Sequence, residues 1–91
     1  MNYTQFLDRL DVYYEDDVLH ILFDYAMEEG IAPPKIDDYI DRHYEDFLLE
    51  EIKENNDDAL YTIFEADVTD GELEKCQTLK DLFINIQKYE A

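Results

Sequence analysis

The chain reads as all-α, a compact bundle of four or five helices, on three observations. Apolar residues recur at three- and four-residue intervals along nearly the whole length, not in the alternation of strands. Only 2 Gly and 2 Pro punctuate 91 residues. Apolar residues make up 46% of the chain, including 5 Phe and 8 Tyr, so a core is available despite the charge, whereas acidic disordered chains are poor in such residues. Residues 1–91 are expected to form a single acidic helical domain, because two cores could not both be stabilised at this length.

The first helix is expected from about Thr4, its N-cap, to about Tyr14, with Phe6, Leu7, Leu10, Tyr13 and Tyr14 on one side. A second starts near Asp16 and Asp17, whose carboxylates favour a helix N-terminus. Val18, Leu19, Leu22, Phe23, Ala26 and Met27 give it two adjacent i, i+4 rows that read as one buried stripe. Gly30 suits the C′ position, and Ile31 to Pro34 follows as a stiff extended connection.

Pro34 fits the first turn of a third helix running to about Glu54. Its buried row would be Ile36, Tyr39, Ile40, His43, Tyr44, Phe47, Leu48 and Ile52, and the remaining face is nearly all acid. Asn55 to Asp58 reads as a helix stop, an N-cap and an acidic first turn that opens a short fourth helix through Leu60, Ile63 and Phe64. Thr69 and Glu72 match a capping box for a last helix to about Tyr89, lined by Leu73, Cys76, Leu79, Leu82, Phe83 and Ile86.

Motifs that would signal catalysis or cofactors do not emerge. The single cysteine, Cys76, excludes an internal disulfide framework and reads as a buried thiol. His20 and His43 lie on different helices outside any HExxH-like spacing; His43, flanked by Asp41, Glu45 and Asp46, reads as a partly buried histidine held by a carboxylate. An EF-hand register with Gly71 at position six puts Ala66 at one and Val68 at three, which fails. There is no Gly-rich phosphate loop and no nucleophile with an aligned base. The expectation is a protein that is not an enzyme and needs no cofactor or metal. The start Met-Asn-Tyr-Thr-Gln-Phe lacks a signal-peptide pattern, and no apolar run approaches ~20 residues, so a cytoplasmic protein away from membranes is expected.

Charge is the feature that carries function. The chain holds 25 Asp and Glu against 7 Lys and Arg, net -18. Residues 1–72 carry 22 acids and 4 bases, whereas 73–91 carry 3 of each, so the last helix is neutral and suits the packed back of the domain or a homodimer contact. Solubility in a small domain is served by a net charge of roughly 2 to 8. Self-repulsion on this scale opposes the compact state. B-DNA carries one charge per ~1.7 Å of axis, so the excess equals that on roughly 30 Å of duplex.

The candidate partner-binding residues are Asp16, Asp17, Asp37, Asp38, Asp41, Glu45, Asp46, Glu50, Glu51, Glu54, Asp57 and Asp58. Those of the third helix are expected to share its polar side with spacings close to those of phosphates along a strand, and Tyr39, Tyr44 and Tyr61 could add contact area. Direct nucleic-acid binding is disfavoured, because this surface has the phosphate sign. The bland alternative is a solvated face that keeps the protein soluble.

With its small size, helical pattern and carboxylate rows Asp37-Asp38, Asp41, Glu45-Asp46 and Glu50-Glu51, the chain resembles the acidic DNA-mimic inhibitors that phages deploy against host nucleases, such as Ocr-like anti-restriction and anti-CRISPR proteins. The resemblance is one of general character, without a shared motif. It implies an inhibitor acting in a host cytoplasm on a cationic nucleic-acid-binding protein, a nuclease or CRISPR effector. Two other readings stay open: an immunity protein or antitoxin neutralising a cationic nuclease toxin, and an acidic adaptor for a basic protein.

Overall fold

In the computed structural model, which describes residues 1–55 and 59–89, five helices follow one another: α1 Tyr3–Glu28, α2 Pro33–Glu54, α3 Ala59–Phe64, α4 Asp70–Lys75 and α5 Leu79–Gln87. No strand occurs among the described residues. The all-α bundle is therefore present, with two boundaries displaced. The Cα radius of gyration is 14.0 Å and the extents are 46 × 23 × 20 Å, an elongated shape against the ~12 Å radius of a typical domain this size. Its length follows from α1, whose 26 residues rise ~39 Å.

The break expected near Asp16 is absent, and α1 runs through it. Its cap is Asn2 rather than Thr4: the Asn2 side chain accepts from the Gln5 N–H at 2.8 Å, and the Gln5 side chain accepts from the Asn2 N–H at 3.0 Å. The buried residues are Phe6, Leu10, Tyr14, Val18, Leu22 and Ala26, an unbroken i, i+4 series. Each step of four turns the helix ~400°, a net drift of ~40°, so the buried row swings about 200° between Phe6 and Ala26. One helix thus packs its two halves on different sides. Near the N-terminus, the Phe6 ring lies 5.3 Å from that of Phe64 and 5.2 Å from that of Phe83; towards the C-terminus, Tyr25 meets Phe47 of α2 at 5.3 Å. Tyr3 and Tyr25, near opposite ends of α1, both reach the Glu45–Phe47 stretch of α2.

The drifting row also decides exposure. Of the two rows expected to be buried, Val18, Leu22 and Ala26 form the core row, while Phe23 and Met27 of the other stand in solvent and Leu19 is half-buried. Tyr13, placed inside by its spacing, is exposed as well.

Gly30 ends α1 at φ 71°. Its N–H donates to Met27 O at 3.1 Å and that of Ile31 to Ala26 O at 3.0 Å, a Schellman closure that satisfies the last carbonyls. Pro33 and Pro34 fill the first turn of α2, where the missing N–H groups would have had no helical partner. Only Leu48, Leu49 and Ile52 of α2 are buried; Ile36, Tyr39, Ile40, His43, Tyr44 and Phe47 are half-buried.

The expected last helix is two. Thr69 caps α4 by accepting from the Glu72 N–H at 3.2 Å. The chain then leaves helical geometry at Cys76, and Thr78 opens α5 with a capping box to Asp81. Cys76 is buried, and Lys53 of α2 donates from Nζ to its carbonyl at 2.7 Å, fastening this turn to the hairpin of long helices. Leu73, Cys76, Leu79, Leu82 and Ile86 are core as expected, joined by Leu49, Ala66 and Val68. The Asn56 to Asp58 cap expected for α3 lies outside the described residues.

Candidate functional site

An α-helix turns ~100° per residue, and that turn decides which α2 carboxylates share a face. Asp37, Asp41 and Glu45 form one i, i+4 row with Asp38 beside it; Asp46, Glu50 and Glu54 form another. All seven are exposed. The rows point to roughly opposite sides of the helix, the first along its N-terminal half and the second along its C-terminal half. The single polar side read from the sequence is therefore two strips. The buried positions Leu48, Leu49 and Ile52 lie on the same side of the helix as the first row, further along it, and hold the C-terminal half of α2 to the core with the second row facing away.

Glu51 belongs to neither strip. Its side chain is half-buried, accepts from Asn55 Nδ2 at 2.8 Å and lies near Tyr14. Asp16 and Asp17 are exposed on α1 rather than at a helix start. Asp57 and Asp58 lie outside the described residues.

Among the described residues, the strips have no cationic partner. An ion pair among the described residues joins His20 Nε2 to Asp24 Oδ2, 3.7 Å apart and exposed on α1. Lys53 goes to a backbone carbonyl, and Lys88 to Asn85 Oδ1 at 3.4 Å. Three carboxylates, Glu45 of the first strip and Asp11 and Glu72 outside the strips, receive neutral donors instead. Tyr3 donates to Glu45 Oε1 at 2.8 Å, Tyr44 to Asp11 Oδ1, and Tyr89 to both Glu72 oxygens at 3.0 and 3.1 Å. A phenol hydrogen bond fixes a carboxylate without cancelling its charge. Burial, then the hydrogen bond and charge of Glu45, drive the Tyr3 hydroxyl far above its ordinary range, and burial with Asp11 does the same to Tyr44. For Tyr89 the bond to Glu72 is the leading cause of an upward shift. These phenols stay protonated at neutral pH and donate as neutral groups.

This use of tyrosine was not read from the sequence, where Tyr39 and Tyr44 counted as core and Tyr61 as contact area. Tyr61 is exposed. Tyr39 packs against His43 at a tilt with centroids 4.6 Å apart, and His43 meets Phe47 edge-on at 6.5 Å. The carboxylate-held histidine is therefore His20, on the surface, rather than His43.

An open cleft of about 730 Å³ runs between α1 and the end of α2, lined by Tyr13, Tyr14, Asp17, His20, Glu51 and Asn55 among others. Among the described residues no three His, Cys, Asp or Glu side chains converge to hold a metal ion. The Cys76 thiol donates to Glu72 O at 3.4 Å and accepts from Asn85 Nδ2 at 3.3 Å, inside the core. No helix of the described residues is long and apolar enough to cross a membrane. No protein-family model matches the chain, nor does any curated protein or solved structure.

Proposed function

We propose that the protein is a nucleic-acid-mimicking inhibitor that occupies the cationic DNA- or RNA-binding site of a host defence nuclease or CRISPR effector. The observation that carries this reading is the pair of exposed α2 strips, Asp37-Asp41-Glu45 and Asp46-Glu50-Glu54, to which no Lys or Arg comes within 4.0 Å among the described residues, Arg42 and Lys53 of the same helix included. Within a strip the charges rise ~6 Å per step, and the strips follow one another along α2 on opposite sides, so that the helix carries carboxylates over ~25 Å of its length. Complementary fields steer the encounter with a basic channel and raise its rate.

The reading is tested by nuclease inhibition. A panel of restriction and RNA-guided nucleases is assayed on duplex DNA with the wild-type protein and with a variant in which Asp37, Asp41, Glu45, Asp46, Glu50 and Glu54 become Asn or Gln. Support would be inhibition of a nuclease that excess substrate DNA relieves and the neutralised variant lacks. Inhibition unaffected by DNA concentration, or retained by a folded neutralised variant, overturns it.

A further inference from the structure

The long helix α1 carries a wider apolar surface than the fold covers. Phe6 to Ala26 form the core row, whereas Val12, Leu19, Phe23 and Met27 recur at seven, four and four residues, with Leu19, Phe23 and Met27 on the flank of that row, about a quarter turn from Val18, Leu22 and Ala26. Val12 is 82% exposed, Met27 74% and Phe23 44%, and Leu19 is half-buried. A wide apolar face is ordinarily buried across its width. Here the flanking residues reach solvent over a strip of ~22 Å from Val12 to Met27, at ~1.5 Å per residue, with Asp16 among them, and exposed apolar side chains grouped in this way mark interaction sites.

Charge decides the occupant. Glu15 borders the strip on one edge and Asp24 on the other, with Asp16 inside it, all exposed. A second copy would bring the same carboxylates face to face and add another net charge of -18, and an anionic lipid surface would be repelled in the same way. We infer that the strip is a docking site for a basic amphipathic helix of a partner protein, about 15 residues long, whose apolar row packs on Val12, Leu19, Phe23 and Met27 while flanking Lys or Arg meet Glu15, Asp16 and Asp24. Helices commonly engage partners through such i, i+3, i+4, i+7 anchors. One strip of this length gives a small contact, in the range of transient complexes. The site is separate from the α2 strips.

The probe is an 18-residue Leu/Lys peptide with Leu at i, i+3, i+4 and i+7, compared with a permuted peptide of identical composition and no stripe. Binding is read by fluorescence anisotropy and by amide shifts of the labelled protein. The expected result is at least tenfold tighter binding of the striped peptide, shifts centred on Leu19, Phe23 and Met27, and loss of the difference in a Phe23→Ser, Met27→Ser variant of unchanged helicity. Neutralising the α2 strips should leave the difference intact, whatever nuclease inhibition shows. Equal binding of both peptides means charge alone and overturns the inference, as do shifts confined to α2 or concentration-dependent dimerisation that the same double substitution abolishes.

Discussion

Asp41 stands where the tension between fold and surface is most exposed to measurement. Its neighbours at i−4, i−3 and i+4 are Asp37, Asp38 and Glu45, all acidic, and the fourth position, i+3, is Tyr44. It lies two turns inside α2, past the N-terminal turn where a carboxylate is favoured. Each like-charge pair weakens a helix by roughly 0.2–0.5 kcal/mol, so Asp41→Asn removes three and should stabilise the protein by about 0.6–1.5 kcal/mol, the helix propensities of Asp and Asn being nearly equal. For a domain of this size that is a rise in Tm of about 2–12 °C. The assay is thermal unfolding by circular dichroism at 20 mM and 500 mM NaCl. The rise should shrink at the higher salt, where screening acts within ~4 Å. A variant no more stable than wild type at low salt, or a gain indifferent to salt, would refute the claim that the strip is held against its own repulsion.

Other perturbations separate backbone geometry from side-chain pairing. Gly30→Ala places a Cβ in open space but at φ 71°, so pure left-handed strain should lower stability by about 1–2 kcal/mol, read as a shift in urea midpoint. Glu65→Gly is its mirror: Glu65 holds φ 56° at the end of α3, and glycine there should gain about 0.5–1 kcal/mol in the same assay. Tyr44→Phe deletes the donor to Asp11 and should lose about 1–2 kcal/mol at pH 8. The folded Tyr44 pKa is raised above its unfolded value near 10, so this contribution is whole below pH ~10 and lost as pH climbs towards the folded pKa. The gap between wild type and Tyr44→Phe should therefore narrow above pH ~10; a gap constant to pH 11.5 would show that the phenol proton is not what stabilises.

Helical periodicity carried the fold class and most of the core, because a 3.6-residue repeat is local information. Where α1 was expected to break, Asp16 and Asp17 resembled a helix start; tertiary packing overrode them, since Tyr14 and Val18 continue one drifting core row that no fixed face describes. The split at Cys76 had a visible signal in Thr78 and Asp81, a cap spacing hidden inside a convincing apolar stripe. Which of the rows Val18-Leu22-Ala26 and Leu19-Phe23-Met27 would be buried depends on where α2 lies, and that is not local. The carboxylates were legible as a cluster, but their division into two strips needed the angle between Glu45 and Asp46. The tyrosine donors were hidden because Tyr3 and Glu45 meet only in three dimensions.

The most direct test of the anionic surface is capture from a bacterial lysate on immobilised wild-type protein at low salt, followed by elution with duplex DNA and, separately, with stepwise NaCl. The expected result is one nuclease or nucleic-acid-binding complex, released by DNA and absent from a column bearing the variant neutralised at both α2 strips. Retention of only abundant basic proteins, released by the first salt step and not selectively by DNA, would contradict the account and leave the charge as a solvated face.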